Sequence, residues 1–433
     1  MTDPKPPRRA AVSARALAVR VLERVERDGA YAAAALDAEL DRHPQLDPRD
    51  RALLSELVYG VLRTRRALER RLLAHAPRGV SDALVRLHLL VAAYQMLLLD
   101  RVPAWAAVDE AIGEIRRARG ARVAGFGNAV LRKIAQGERL ELASALRETA
   151  PAWLTERLDR ALGRDETDAL LGAGADFGRV WCRLVAGRPQ PAWLAAAERH
   201  PVSPLARLLP SGDPEKQSGY AEGAFVVQEP GAELVGLALG ARAGERVLDA
   251  CAGRGQKTTL LLEAVGARGE AWAADAHPKK LAALARECTR LGLPVARTAA
   301  VDWTLGTGEL PDGFDRVLVD APCTGVGTLR RRPEIALRLA PGDPARLAEL
   351  QAAILRSAAT RAKPGGRVVF AVCSVLEEEA EGVLSRVADV LEPAPFDAPA
   401  LGAVVPPGAT SFRLTPLRHA TDGYFVASLA RRT

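Results

Sequence analysis

The sequence predicts a multidomain protein with an all-α N-terminal bundle, a small α/β connecting subdomain and a C-terminal Rossmann-like α/β domain. Three observations predict this class. The chain has 433 residues, of which 48% are hydrophobic, so it is long enough for two or three globular domains. Apolar residues recur at helical spacing from Val12 to about Gln136. After Gln228, short apolar strands alternate with helical segments, which indicates a parallel sheet covered on both faces.

The first domain, residues 1–140, is predicted to be a helical bundle. In the stretch "DRALLSELVYGVLRTRR" the apolar residues have the spacing of one buried helix face: Leu53, Leu54, Leu57, Val58, Val61 and Leu62. Breaks such as "HPQLDPRD" and "HAPRGVSD" separate several helices. The N-terminus lacks the apolar segment of a secretory signal, and no apolar run reaches about 18 residues, so we expect a cytoplasmic protein with no membrane partner.

Basic residues are concentrated in this first domain. Residues 1–140 contain 25 Lys and Arg against 17 Asp and Glu, so the rest of the chain has 35 against 36, given totals of 60 and 53. Two arginine clusters could contact a phosphate backbone: Arg63, Arg65, Arg66, Arg70 and Arg71, and Arg116, Arg117, Arg119 and Arg122. The alternative is a solvated helix face in a chain that uses Arg in preference to Lys throughout.

The remaining chain is predicted to divide at residue 229. Residues 141–229 form the connecting α/β subdomain, with a helix around Ala152 to Leu171 and a possible strand in "RVWCRLVAG". Residues 230–433 form the Rossmann-like domain, whose predicted strands lie in "ERVLDAC", "EAWAADA", "ARTAAVD", "DRVLVDAP" and "RVVFAVCS". Ligands of such sheets bind outside the carboxyl ends of the strands, so these ends are the candidate site.

A glycine turn follows the first of these strands, in "DACAGRGQKTT". A phosphate-binding P-loop needs glycine directly before its lysine, but Gln256 precedes Lys257. A dinucleotide fingerprint needs a third glycine, and Thr258 stands there. Asp275 lies 20 residues after Gly255, the separation expected of an acid that binds ribose hydroxyls. A nucleoside ligand therefore fits best, with a turn that binds nothing as the alternative.

Lys257 itself requires a negative partner. A cation in the first turn of a helix is opposed by the helix dipole, so we expect Asp249 or Asp320 to pair with it. Further acids, Asp275 and Asp302, follow two other strands of the predicted sheet. Acidic side chains at several strand ends favour a binding site over a purely structural turn.

Three of the five cysteines, Cys251, Cys323 and Cys373, follow predicted strands that are neighbours in the usual order of such a sheet. One alternative is a zinc site with His277 as the fourth ligand. A second is that the thiols are small apolar core residues, the reading that we favour for Cys182 and Cys288. The polar neighbours of Cys323 and Cys373 favour a pocket for these two instead.

The motifs of the whole chain resemble those of a known family. "VLDACAGRGQKTT", "VDAPCTGVGTLRRRPE", "AVCSVLEEEAE" and "HATDGYFVASL" are similar to motifs of bacterial RNA 5-methylcytosine methyltransferases that use S-adenosylmethionine. "LVYGVLRTRRALERRL" and "GFGNAVLRKI" resemble the NusB-type helical domain fused to the branch that modifies small-subunit ribosomal RNA. The chain departs from the family pattern at Trp105, Arg254, Gln256, Thr324 and Ala380, none of which is a reacting group.

The resemblance implies a role for each candidate residue. Cys373 matches the nucleophile, Cys323 the second thiol and Asp320 a carboxylate that faces the base. The residues that match the donor pocket are Cys251, Ala252, Gly253, Arg254, Gly255, Gln256, Lys257, Asp275, Asp302 and Asp320. Asp275 would bind the ribose hydroxyls and Asp302 the adenine amine, and no metal is implied.

The resemblance also implies the reaction. It is methylation of carbon 5 of a cytosine in 16S rRNA through a covalent Cys–cytosine adduct. We expect the protein to act as a monomer. The alternatives are a methyltransferase for tRNA or another RNA, and a non-catalytic RNA-binding factor of the antitermination type.

Overall fold

A computed structural model describes residues 13–100, 102–177 and 179–432. The N-terminal residues used to argue against a secretory signal lie largely outside this range. Within it the helices are α1 (Ala14–Arg27), α2 (Ala32–Arg42), α3 (Pro48–Arg63), α4 (Arg65–Leu73), α5 (Ala83–Leu98), α6 (Ala104–Ala135), α7 (Leu142–Thr149), α8 (Ala152–Leu162), α9 (Arg164–Leu171), α10 (Ala192–Ala196), α11 (Pro230–Ala238), α12 (Gln256–Val265), α13 (Pro278–Leu291), α14 (Glu334–Arg338), α15 (Asp343–Ala359), α16 (Glu381–Arg386) and α17 (Pro416–His419).

The strands in the same ranges are β1 (Trp181–Leu184), β2 (Ala206–Leu208), β3 (Phe225–Val227), β4 (Arg246–Asp249), β5 (Glu270–Asp275), β6 (Arg297–Ala300), β7 (Phe314–Asp320), β8 (Ala362–Val372), β9 (Leu391–Pro393), β10 (Ser411–Leu414) and β11 (Tyr424–Arg431). Among these described residues no helix is both long enough and apolar enough to span a bilayer.

The first compact unit holds the described residues up to Thr155 together with Leu171–Ala173 and Leu329–Arg338. Its core is the apolar faces of α1, α3 and α5, with Leu17, Leu57 and Leu89 completely buried. These faces follow the predicted spacing, which confirms the all-α bundle. Segment Leu329–Arg338 belongs to this unit through hydrogen bonds such as that from the amide of Ala32 to the Glu334 carboxylate.

The first arginine cluster differs from the prediction. Arg63 is buried and donates to the carbonyl of Arg330 at 2.9 Å. Arg65 is also buried and pairs with Glu26 and Glu69. Both side chains are part of the helical core, because their aliphatic stems pack inside while the guanidinium groups find acceptors there. The expectation that these two arginines face a phosphate backbone is therefore wrong.

The second compact unit begins with the connecting region. The helix predicted from Ala152 to Leu171 is broken into α8 and α9 at Gly163, whose φ of 84° lies outside the helical range. Strands β1, β2 and β3 form an antiparallel sheet in the order β2-β1-β3. Arg183 on β1 is completely buried and donates to Thr259 and Glu263 on α12, which ties this small sheet to the helix that follows the glycine turn.

The large sheet has the strand order β10-β11-β8-β7-β4-β5-β6, with β9 beside β11. Strands β4 to β8 are mutually parallel, and β11 pairs antiparallel with β8, so that Phe425 lies opposite Val372. Apolar clusters cover both faces of the sheet. The chain runs outward from β4 through β5 to β6 and then returns to β7, so the strand order reverses between β4 and β7. A ligand site is expected at the carboxyl ends of these two strands.

Candidate functional site

The turn from β4 into α12 is built around Gly255. This residue has a φ of 92°, and a Cβ placed on it would lie 2.1 Å from Cδ1 of Leu284. Only glycine satisfies both the left-handed backbone and this close approach. A Cβ on Gly253, by contrast, would meet no atom within 4 Å. The turn is therefore closed on its α13 side and open above Gly253, where a ligand has room to approach the backbone.

Asp275 joins the end of β5 to this turn. Its two carboxylate oxygens accept the amide of Gly253 at 3.0 Å and the amide of His277 at 2.8 Å, and the side chain is almost completely buried. The ammonium group of Lys280 also lies 3.4 Å from both carboxylate oxygens. A carboxylate can accept about four hydrogen bonds, so the Asp275 carboxylate keeps some capacity for a ligand hydroxyl. Asp302, after β6, is exposed instead, and it accepts the amide and hydroxyl of Thr304.

Asp249 is a buried carboxylate with one unpaired oxygen. Its Oδ2 accepts the hydroxyl of Thr258 at 2.7 Å, whereas Oδ1 has no hydrogen-bond partner within the described residues. Burial raises the pKa of this carboxyl to about 6, although Thr258 and Lys257 act in the opposite direction. An unsatisfied buried acceptor beside an open glycine turn suits a ligand that brings a donor or a positive charge.

Lys257 pairs with Asp320 at the end of β7, with its Nζ 2.6 Å from Oδ2. This confirms the second of the two predicted partners. Burial alone would lower the pKa of Lys257, but the Asp320 carboxylate, with help from Asp249, raises it above the ordinary value. The side chain of Asp320 remains 24% exposed, so the ion pair is accessible from the open edge of the sheet.

The two thiols of the predicted pair are in contact. Cys323 follows β7, Cys373 follows β8, and their Sγ atoms are 3.3 Å apart. The Cys373 hydrogen bond and burial raise the pKa of Cys323 well above the ordinary value. Cys251, also partly buried, has its pKa raised by burial and by the negative charges of Asp249 and Asp320. Cys182 and Cys288 are completely buried in apolar clusters, as predicted.

The structure adds two polar residues that the sequence had not singled out, Glu379 and Gln351. Glu379 is completely buried and accepts hydrogen bonds from Thr324 and Ser374, the residues that directly follow the two cysteines. Gln351 on α15 donates to the same carboxylate at 2.9 Å. Glu379 stands in a run of three glutamates, which reads as a solvated charge run, so no local signal marked it.

A pair of glycines closes the same region. The amide of Gly327 donates to the carbonyl of Cys373 at 3.0 Å, and the amide of Gly423 donates to the carbonyl of Gly327 at 2.8 Å. A Cβ on Gly327 would lie 1.9 Å from the Gly423 oxygen. The three segments that carry Cys323, Cys373 and the motif "TDGYF" are therefore in backbone contact.

Comparison with known proteins identifies the family. Residues 236–430 match the model of the 16S rRNA methyltransferase RsmB/F family, and residues 12–136 match the NusB family. A probable ribosomal RNA small subunit methyltransferase B from Synechocystis is 30% identical over 451 aligned positions, covering 97% of this chain and all of that protein. The chain belongs to the RsmB/F methyltransferase family. It is therefore an RNA methyltransferase, and its methyl donor is S-adenosylmethionine.

A second relative supports the family, and a solved structure supports the fold. The ribosomal RNA small subunit methyltransferase B of Thermus thermophilus is 35% identical, with coverage of 96% of this chain and 97% of that protein. The crystal structure of PH0851 has the same fold, with a TM-score of 0.80, 24% identity and coverage of 96% of this chain and 98% of that chain. The predicted fold class, a NusB-like bundle followed by a Rossmann-like methyltransferase domain, is confirmed.

The residues of this RsmB/F chain fit the methyl donor. The space above Gly253 and the remaining acceptor capacity of Asp275 lie around one turn, and the buried carboxylate of Asp249 adds negative charge beside it. Together they suit a cationic nucleoside with hydroxyl donors. The side chain of Gln256 is directed elsewhere, since its amide donates to the carbonyl of Val227 at 2.8 Å. Among the described residues, no group of three or more His, Cys, Asp or Glu side chains is arranged to hold a metal ion.

Proposed function

We propose that the protein methylates carbon 5 of a cytosine in 16S rRNA through a covalent bond between Cys373 and carbon 6 of the base. The observation that carries this proposal is the 3.3 Å contact between the Cys323 and Cys373 sulfurs, just beyond the carboxyl ends of β7 and β8. Carbon 5 of cytosine is a poor nucleophile, and addition of a thiolate at carbon 6 makes it an enamine carbon. One thiol then serves addition and the other serves release.

Cys373 begins the reaction. Its thiolate forms the Sγ–C6 bond, and the electron pair of the C5=C6 bond moves into the ring, so that carbon 5 becomes nucleophilic. S-adenosylmethionine, when bound, supplies an electrophilic methyl group on a sulfonium. Cys373 stays bonded to the base while carbon 5 takes this methyl group.

Addition places negative charge on the pyrimidine. Asp320 stabilises it as an acid or hydrogen-bond partner at N3 or the exocyclic amine, and Lys257 stabilises it through its positive charge. The Asp320 carboxylate is within reach of a base that enters over β7, because its side chain is partly exposed. Lys257, whose pKa is raised despite burial, stays protonated and orients the Asp320 carboxylate. Fixed charges in a partly dehydrated site stabilise such a developing charge more strongly than water does.

Cys323 then promotes release. As a thiolate, directly or through a water molecule, it takes the proton from carbon 5 and becomes a thiol; the electrons of that C–H bond reform C5=C6, and the Sγ–C6 bond breaks. This returns the Cys373 thiolate and the methylated base. The base must leave its stack to expose carbon 6, so the substrate is single-stranded, looped or flipped RNA.

The donor pocket of the proposal is the glycine turn with the acids around it. Residues 251–257 would surround the methionine part, Asp275 would bind the ribose hydroxyls and Asp302 the adenine amine. The open space over Gly253 and the two backbone bonds that fix the Asp275 carboxylate support this placement.

We assign RNA contact to the exposed arginines of the helical domain, residues 1–140 in the predicted division. Arg116 and Arg122 on α6 are exposed, and residues 115–137 include no Asp or Glu. Arg116→Ala should weaken RNA binding and lower the slope of affinity against salt by about one ion. Arg63→Ala, the matched buried site, should lower thermal stability and leave the salt slope unchanged. Equal slopes for wild type and Arg116→Ala would remove this arginine from the RNA surface.

The test of the reaction separates the two thiols. Cys323→Ala should attack the base, transfer the methyl group and then stall, and so run as a protein–RNA adduct on a denaturing gel. Cys373→Ala and the double variant should give no adduct. Bisulfite sequencing of rRNA from cells with and without the gene identifies the methylated base. An adduct from Cys373→Ala but not from Cys323→Ala would reverse the two roles, and no adduct from either would refute the covalent route.

A further inference from the structure

We propose that Glu379 is a positioning residue that holds the two cysteine loops at the separation the reaction requires. The inference rests on the proposed function of Cys323 and Cys373. It concerns a side chain that touches neither sulfur through a hydrogen bond. Instead, its carboxylate contacts the residue that follows each cysteine, Thr324 and Ser374.

Four donors surround this carboxylate. Oε1 accepts the Thr324 amide at 2.8 Å and the Gln351 side-chain amide at 2.9 Å. Oε2 accepts the Ser374 hydroxyl at 2.6 Å and the Thr324 hydroxyl. A carboxylate has about four acceptor positions, so this one is saturated. Glu379 therefore has no capacity left for substrate, and its function is carried by the loops that it joins.

The arrangement connects three elements at one point. Gln351 also donates to the carbonyl of Pro322 at 3.0 Å, so the chain is fixed on both sides of Cys323. Ser374 is held next to Cys373 by the same carboxylate and accepts the amide of Leu376 at 3.4 Å. The loops after β7 and β8 thus share a buried acceptor, and a shift of one loop relative to the other would break at least one of these bonds.

Core packing alone does not explain the residue. A buried carboxylate is costly to dehydrate, and an apolar side chain of similar volume commonly stabilises a protein at least as well. What an apolar residue cannot do is fix the direction of three donors from two loops. A displacement of about 1 Å in a reacting group can cost about a hundredfold in rate, so fixed loops are of direct use to a two-thiol reaction.

The test combines kinetics with hydrogen exchange. Glu379→Ala should lower kcat by about tenfold to a hundredfold while the Kd of S-adenosylmethionine and the KM for RNA change little, because the donor turn is untouched. Hydrogen–deuterium exchange should become faster in peptides that cover residues 321–328 and 373–378. Glu379→Gln should recover most of kcat, since its amide oxygen keeps the Thr324 and Gln351 bonds and its NH2 group can donate to the two hydroxyl oxygens.

Two further variants guard against loss of folding. Ser374→Ala and Thr324→Val each remove one hydroxyl donor and should show smaller losses of the same kind. Glu377→Ala removes an exposed carboxylate two residues away and is the control, with kcat and exchange like wild type. Unchanged loop exchange in Glu379→Ala, or a fall in kcat no larger than that of Glu377→Ala, would overturn the proposal.

The exchange measurement does not depend on the chemistry. If the Cys323→Ala adduct never forms but loop exchange still accelerates in Glu379→Ala, the covalent route fails while the positioning of the loops stands. If the adduct forms and loop exchange is unaffected, the proposed function stands and the role of Glu379 fails.

Discussion

Three carboxylates near the carboxyl ends of the large sheet, those of Glu379, Asp249 and Asp320, have different surroundings. These differences indicate which of them can bind a ligand. Glu379 is completely buried, and four donors occupy the acceptor positions of its carboxylate. Asp249 is also buried, but one of its carboxylate oxygens has no hydrogen-bond partner among the described residues. Asp320 is partly exposed and paired with one ammonium group. A carboxylate whose acceptor positions are all occupied by protein donors can only stabilise the fold. One with an unpaired or accessible oxygen can still accept a hydrogen bond from a ligand. Free hydrogen-bonding capacity therefore distinguishes Asp249 and Asp320 from Glu379.

The largest expected effect is on Asp320. Asp320→Asn removes the carboxyl group that we propose contacts the base, and it should lower kcat by about a hundredfold to a thousandfold, similar to the loss of one preorganised electrostatic group in other enzymes. Single-turnover methylation of RNA measures this. Asp315→Asn is the control, because Asp315 lies on the same strand and also pairs with a lysine, Lys363, but at the opposite end of β7. Equal rates for the Asp320 variant and wild type would place Asp320 with the structural acids.

The next effect concerns Asp249 and pH. Its folded-state pKa of about 6 lies above the unfolded value of 3.8. The folded protein thus binds this proton more tightly, and the associated stability is present below pH 3.8 and lost as pH rises through about 6. Over this window wild type should lose about 3 kcal/mol in free energy of unfolding relative to Asp249→Asn.

Urea unfolding at pH 4, 5, 6 and 7 measures this difference. Asp302→Asn is the control, since the Thr304 hydrogen bonds lower the pKa of Asp302 and reverse the sign of its pH dependence. Parallel stability curves for wild type and Asp249→Asn would show that the unpaired oxygen of Asp249 carries no cost of burial.

The smallest expected effect concerns Asp275, whose carboxylate has some acceptor positions occupied by protein donors and some still free. Two of its acceptor positions hold backbone amides, Lys280 lies 3.4 Å from both oxygens, and the remaining capacity is available to the donor. Asp275→Ala should weaken binding of S-adenosylmethionine by about 1 to 3 kcal/mol, the usual cost of leaving buried polar groups unpaired. Calorimetry measures it, and RNA affinity should stay unchanged. Wild-type donor affinity in this variant would remove Asp275 from the pocket.

The grouping of residues that follow the strands was predictable from the sequence, because the carboxyl ends of parallel strands meet at one edge of the sheet. Cys323 and Cys373 were placed together on this basis, and the structure confirms it. Asp320 was one of two partners predicted for Lys257 from the helix dipole, and the structure shows this pair. Asp302 followed the same rule, but it is exposed and bonds to Thr304. The roles of these residues in donor and base binding stay predictions.

Side chains whose surroundings come from distant segments were not predictable. Arg63 lies in an arginine-rich helix, and only the segment around Arg330, 267 residues later, shows that it is buried. Glu379 looks like the exposed Glu377 until α15 and both cysteine loops are placed around it. The local sequence pattern predicts which residues lie in a helix or strand and on which of its faces. It does not predict the partners of a buried charge, which depend on tertiary contacts.

The contact between Gly327 and Gly423 has a consequence for how the protein is made. Gly423 immediately precedes β11, which follows every other strand of the large sheet in the order of translation and forms hydrogen bonds along the edge of β8 next to Cys373. Until this strand has left the ribosome, β8 has an unpaired edge and the segment after Cys323 lacks its backbone partner. The nascent chain therefore completes the edge of β8 beside Cys373, and the backbone support of the segment after Cys323, only once β11 has been synthesised.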